Sequence, residues 1–161
     1  MEQIEIVEYI VKKLEKNSLT LSAAESCTGG LVSSAVVDYA GASSVFADGI
    51  VTYSNAAKMQ FLGVRPETLE AHGAVSPETA EEMCRGVAKV SKTDIGLSTT
   101  GIAGPGGGTP EKPVGLVYIG IYMDGTARTK KLMLNGSRTE IRTQTVYILL
   151  SWLKELLERT K

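Results

Sequence analysis

The sequence predicts an α/β fold, a three-layer α/β/α sandwich around a mixed, mostly parallel sheet. Three observations carry that expectation. Short β-rich runs alternate with helix-like segments up to residue 100, the pattern of strands joined by crossover helices. An Asp124-Gly125 pair between two β-rich runs marks a late hairpin, because both residues tolerate the backbone of a type I′ turn. A long helical segment follows Gly136-Ser137. At 161 residues the chain suits one compact domain, residues 1–161, with a single core.

The elements follow in order. Ile4, Val7, Ile10, Val11 and Leu14 recur at helical spacing and predict a helix over 4–14, with Asn17 as its stop. Residues 19–24 read as a strand that feeds directly into Glu25-Ser26-Cys27-Thr28-Gly29-Gly30. Small and apolar residues from about Gly30 to Tyr39 predict a closely packed helix. A second strand is expected over 45–53 and a helix through 56–62. Ser76-Pro77-Glu78 joins a hydroxyl cap, a first-turn proline and an acid near the positive end of the helix dipole, so a helix starts there and reaches Val90. Residues 94–100 predict a third strand, and 114–123 with 126–134 the two arms of the hairpin. The final helix is expected to pack along Ile141, Thr145, Ile148, Trp152 and Leu156.

Composition excludes several classes of function. Lys plus Arg number 17 against 18 Asp plus Glu, a formal charge of −1. No broad basic field exists to attract nucleic acid or an anionic membrane, so neither partner is expected and any anion must be held by a local pocket. Cys27, Cys84 and His72 form no metal-ligand spacing, so no metal and no cofactor is expected. The cysteines are read as buried small apolar residues and His72 as peripheral. No apolar run approaches the ~20 residues that span a bilayer. The acidic start Met-Glu-Gln-Ile-Glu is unlike a signal peptide. A cytoplasmic setting is expected. The apolar stretch 146–150 on the last helix suits core or interface alike, and a homo-oligomer is expected.

In open α/β sheets, ligands bind beyond the carboxyl ends of the strands, and three such ends carry unusual residues. The first is Glu25-Ser26-Cys27-Thr28-Gly29-Gly30, where a serine at a sharp turn stands beside amides suited to an oxyanion; a plain helix cap fits those residues too. The second is Tyr53-Ser54-Asn55-Ala56-Ala57-Lys58. With one histidine in the chain, a serine nucleophile needs another base, and lysine is the recognised substitute once burial lowers its pKa. Ser54, four residues before Lys58, is the rival nucleophile, and a cap at Asn55 with a solvated Lys58 is the bland alternative. The third runs from Thr99-Thr100 through Gly101, Gly104, Gly106, Gly107 and Gly108 to Thr109. It is bare backbone that can cradle a phosphate or a planar ring, or simply flex. Arg138 and Arg142 share one face of the last helix. They suit a phosphate clamp, or a solvated pair bridged to acids such as Glu140.

Taken together, the segments 24–30, 49–58, 100–107, 112–118 and 137–142 resemble the CinA carboxy-terminal domain family over nearly the whole chain. The separate amino-terminal domain of many CinA proteins has no counterpart here, so the sequence is similar to the stand-alone bacterial nicotinamide-nucleotide amidases. The resemblance implies hydrolysis of nicotinamide mononucleotide to nicotinate mononucleotide and ammonia, without metal. It implies Ser26 as nucleophile, Lys58 as base and Tyr53 as partner of Lys58. Amides around Thr28, Gly29 and Gly30 are then expected to hold the oxyanion. Thr100, Gly101, Gly104 and Gly106 would wall the ring and ribose, with Asn55 nearby. Arg142, with Arg138 beside it, would neutralise the 5′-phosphate. Two alternatives stand beside this: a non-catalytic nucleotide-binding regulatory module linked to competence or DNA damage, and a serine amidase for another small amide.

Overall fold

Residues 1–160 are described by a computed structural model, in which five strands form one sheet in the order β2-β1-β3-β4-β5. The elements are α1 Gln3–Lys16, β1 Leu21–Glu25, α2 Leu31–Val37, β2 Phe46–Val51, α3 Asn55–Leu62, α4 Pro66–His72, α5 Pro77–Ser91, β3 Ile95–Gly101, β4 Leu116–Met123, β5 Thr126–Met133 and α6 Arg138–Arg159. β1 pairs in parallel with both β2 and β3, while β4 is antiparallel to β3 and β5 to β4. β5 therefore points the same way as β1, β2 and β3, and β4 alone runs against them. This is the mixed, mostly parallel sheet that the sequence predicts.

Every residue of β1 is buried, as expected of a parallel strand covered by helices on both faces. On one face, Ile10 and Leu14 of α1, Val32 of α2 and Ile141, Leu149 and Leu153 of α6 share a core with Leu21, Leu97 and Ile119. On the other, Met83 and Val87 of α5 pack with Leu62, Val64 and Ala24. Gly86 permits that second layer to close, since a Cβ there would overlap the Leu62 carbonyl of α3. Asp124 and Gly125 have φ of 53° and 73°, the two positive values that a type I′ turn requires.

The structure corrects the sequence reading in three places. Ile4 is 41% exposed, and Ile6 joins Val7, Ile10, Val11 and Leu14 in the buried stripe. At 3.6 residues per turn, Ile4 stands roughly a right angle from the centre of that stripe. On α6 the stripe passes through Leu149, Leu153 and Leu157, with Ile148 and Leu156 as half-buried flanks. α4 was not anticipated: its seven residues start at a proline and stop at Gly73, too few for a periodic signal. No helix among the described residues is long and apolar enough to cross a membrane.

Candidate active site

Ser26 directly follows β1, and its amide donates to the Thr99 carbonyl at 3.0 Å. The bond continues the pairing of β1 with β3 by one residue, so the hydroxyl is carried on backbone still tied to the sheet. The chain then turns through Gly29 (φ 56°) and Gly30 (φ 107°), left-handed positions that favour glycine, and α2 begins. Ser26 is buried, with 8% exposure.

Lys58 lies in the first turns of α3. Ser54 is the cap of that helix, its Oγ accepting the Ala57 amide at 3.0 Å, whereas Asn55 is the first helical residue and exposed. With its hydroxyl committed as cap, Ser54 is not the partner of Lys58. The Lys58 side chain runs inward and is 1% exposed. Its Nζ stands 3.0 Å from Ser26 Oγ, 2.9 Å from the Thr52 carbonyl and 3.4 Å from the Tyr53 carbonyl. No carboxylate forms an ion pair with it among the described residues. Burial pushes its pKa below 10.5, with the neighbouring Cys27 sulfur acting the other way. A neutral amine has two N–H donors and one lone pair. In that form the two carbonyls would take the donors and the lone pair would face the Ser26 hydroxyl. Burial favours this uncharged form, the one a general base needs.

Cys27, next to Ser26, is no rival nucleophile. Burial pushes its thiol up to about 11, so it stays protonated near neutrality, and the thiolate is the reactive form. Cys84 is likewise buried.

Ser26, Tyr53, Lys58, Thr100, Gly101, Gly104, Gly106 and Arg138 all line one cavity of about 320 Å³, within the range of small-ligand pockets. Cys27, Ala74, Val75, Ile102, Ala103 and Gly107 complete the wall. Sequence reasoning missed the loop at Ala74 and Val75. Its approach is fixed by Thr100 Oγ1 donating to the Ala74 carbonyl at 2.7 Å, and the only signal was an apolar pair just before the Ser76 cap. The basic side chains in the lining are Lys58 and Arg138, and no carboxylate lines it.

Several expected site residues sit elsewhere. Tyr53 touches Lys58 through its carbonyl, while its phenol oxygen accepts from Arg138 Nη2 at 3.2 Å. Arg138 also donates through Nη1 to the Gly104 carbonyl at 2.8 Å, so it bridges the glycine loop to Tyr53 at the cavity wall. Arg142 is not in the lining. Its Nε and Nη2 donate to the Cys27 and Thr28 carbonyls at 3.0 and 2.9 Å, so it braces the turn after Ser26 from outside the cavity. Thr28, Gly29, Gly30 and Asn55 are also absent from the lining.

The oxyanion donors shift for the same reason. The Gly29 amide donates to the Ser26 carbonyl and the Leu31 amide to the Thr28 carbonyl, both at 3.1 Å. The Val32 and Ser33 amides donate to the Glu25 carboxylate. The amides of Cys27, Thr28 and Gly30 have no acceptor in another residue among the described residues, and of these three only Cys27 lines the cavity. In chemical terms, the site combines a hydroxyl, a buried amine without counter-ion, unused amides and a guanidinium around a cavity.

Comparisons with known proteins bear on the family. The model of the CinA C-terminal domain family matches residues 3–157. The "CinA-like protein" of Kosmotoga olearia is 57% identical over 150 residues, which are 93% of this chain and 36% of that protein. The chain spans little more than a third, 35–38%, of the length of the curated relatives it matches. Two solved structures superpose over both lengths. The competence/damage inducible protein of Agrobacterium tumefaciens has TM-score 0.93 at 41% identity, covering 99% of this chain and 98% of its own. The competence damage-inducible protein A of Klebsiella pneumoniae has TM-score 0.96 at 32% identity, covering 100% of both.

Proposed function

The chain belongs to the CinA C-terminal domain family, and from that membership and the Ser26–Lys58 contact we propose that it is a nicotinamide-nucleotide amidohydrolase. Nicotinamide mononucleotide and water would give nicotinate mononucleotide and ammonia. The single observation that carries this reading is the 3.0 Å approach of a buried, unpaired amine to a serine hydroxyl. We take the protein to work as a cytoplasmic homo-oligomer; its two free, buried thiols fit a reducing setting.

Neutral Lys58 accepts the Ser26 proton while Oγ attacks the carboxamide carbon. The amide of Cys27, which lines the cavity, would hold the oxyanion, a donor of this kind being worth about 3–4 kcal/mol. Lys58, now an ammonium, protonates the departing nitrogen and is neutral again. A water then gives its proton to Lys58 and attacks the ester, and Lys58 returns that proton to Ser26 Oγ as the acid leaves. A cationic pyridinium ring beside Lys58 further favours the neutral amine. Arg138 lines the cavity wall and would meet the 5′-phosphate.

Incubating the pure protein with nicotinamide mononucleotide and measuring ammonia tests the reading. Steady release supports it; tight binding without release would instead favour a nucleotide-binding regulatory module. Arg138→Ala is expected to raise KM about 10- to 100-fold with kcat nearly unchanged, because phosphate binding is similar in ground and transition states. If nicotinamide riboside, which lacks the phosphate, were hydrolysed with equal kcat/KM, the substrate would be another small amide. Ser54→Ala is expected to keep full turnover and lose about 1 kcal/mol of stability, the usual cost of an N-cap, read as a lower Tm. Loss of turnover in that variant would transfer the nucleophile to Ser54.

A further inference from the structure

We propose that Glu25 is a positioning residue that sets both halves of the Ser26–Lys58 pair, an inference that rests on Ser26 being the nucleophile. Glu25 is fully buried. Its Oε1 accepts from Thr28 Oγ1 and the Val32 amide, both at 2.7 Å, and its Oε2 from Ser33 Oγ at 2.7 Å and the Ser33 amide at 3.0 Å. Four donors converge on the two oxygens, the set an acceptor-only carboxylate takes.

That arrangement dictates the direction of the next hydrogen bond toward Ser26. The Thr28 hydroxyl spends its proton on Glu25, so its oxygen must accept from Thr99 Oγ1, 2.7 Å away. The Thr99 oxygen is then left facing the Ser26 amide at 3.3 Å. Thr28 and Thr99 are both fully buried, so no bulk water competes for these hydroxyls. The main chain of Glu25 holds the other half: its carbonyl accepts the Thr52 amide at 2.8 Å, and the Thr52 carbonyl accepts from Lys58 Nζ. One residue therefore fixes the strand end that carries the hydroxyl and the carbonyl that orients the amine.

Glu25 also satisfies the first amides of α2, whose own cap position, Gly30, has no side chain. Gly49, opposite Ala23 on β2, leaves the space that the Ser33 hydroxyl fills, and a Cβ there would overlap Ser33 Oγ. A purely helix-capping role would stop at those bonds. The relay through Thr28 and Thr99 is what separates positioning from capping.

Two variants separate the roles. Glu25→Gln keeps the shape but turns an N–H₂ toward donors in a site closed to water. Thr28→Val cuts the relay and leaves the bonds to Val32 and Ser33 in place. Both are read by kcat and KM for ammonia release, by Tm, and by the rate at which a fluorophosphonate labels Ser26, which needs no nucleotide. Glu25→Gln is expected to lower kcat and labelling together by about 100-fold, the scale of a misplaced reacting group, with KM within about 3-fold. Thr28→Val is expected to lower both by at least about 10-fold and, because Glu25 Oε1 loses a donor and the Thr99 hydroxyl an acceptor, to lower Tm by only a few degrees while the protein stays folded. If Glu25→Gln does not fold, Thr28→Val decides alone. Thr28→Val with wild-type labelling and kcat would overturn the proposal and leave Glu25 a helix cap. A wild-type protein that neither releases ammonia nor labels at Ser26 would overturn the amidase reading itself; labelling without ammonia release would overturn only its choice of substrate.

Discussion

Ser26→Ala is expected to lower the rate of ammonia release by at least about 10⁴-fold, the order seen when a nucleophile is removed from a serine hydrolase, while nicotinamide mononucleotide still binds within a few-fold of wild type. The size follows from the lack of a substitute. Cys27 carries its thiol beside the site, but burial keeps it protonated, up to about 11. Ser54 is committed as the cap of α3. The cavity wall contributes two further hydroxyls, from Tyr53 and Thr100. The first accepts from Arg138 and the second donates to the Ala74 carbonyl. Calorimetric titration of the variant with substrate checks the binding half, and single-turnover kinetics the chemical half. A variant that kept more than a tenth of wild-type kcat would remove Ser26 from the reaction.

Lys58→Arg is expected to be as inactive as Ser26→Ala, although it preserves a cation, because a guanidinium cannot give up its proton in this range. Wild-type kcat/KM should then follow the neutral fraction of Lys58. Burial lowers its pKa from 10.5, so activity is present above that lowered pKa and is lost as pH falls through it. The profile between about pH 6 and about pH 10 should show one rising limb. Stability carries the same sign. Between the lowered folded value and 10.5 the unfolded chain binds the extra proton, so stability rises with pH across that window, and Lys58→Met should flatten that rise. A kcat/KM that fell with rising pH from neutrality would refute a lysine base.

Much of this was legible before any coordinates. β1, β2 and β3 alternate with helices whose caps and apolar spacing are local signals, so existence and type came through for all of them but the seven-residue α4. The Ser26 and Lys58 motifs were legible because the chemistry limits the choices: with one histidine, the base had to be something else. The division of labour between Arg138 and Arg142 was not legible. Residues four apart share a helix face, and only the docking of α6 against the nucleophile turn decides which guanidinium meets the cavity and which meets the Cys27 and Thr28 carbonyls. The phenol of Tyr53 was misdirected for a similar reason. Lys58 is only five positions along the chain, but the phenol's hydrogen-bond partner is Arg138, 85 positions away. Glu25 escaped notice because a buried acid beside a serine invites no role until its four donors are known.

Arg142 reaches the Cys27 carbonyl across 115 positions of chain. The turn that carries Ser26 and the last helix of the chain are thus one mechanical unit: a change that lifts the first turns of α6 away from the sheet would also release the two carbonyls just beyond β1.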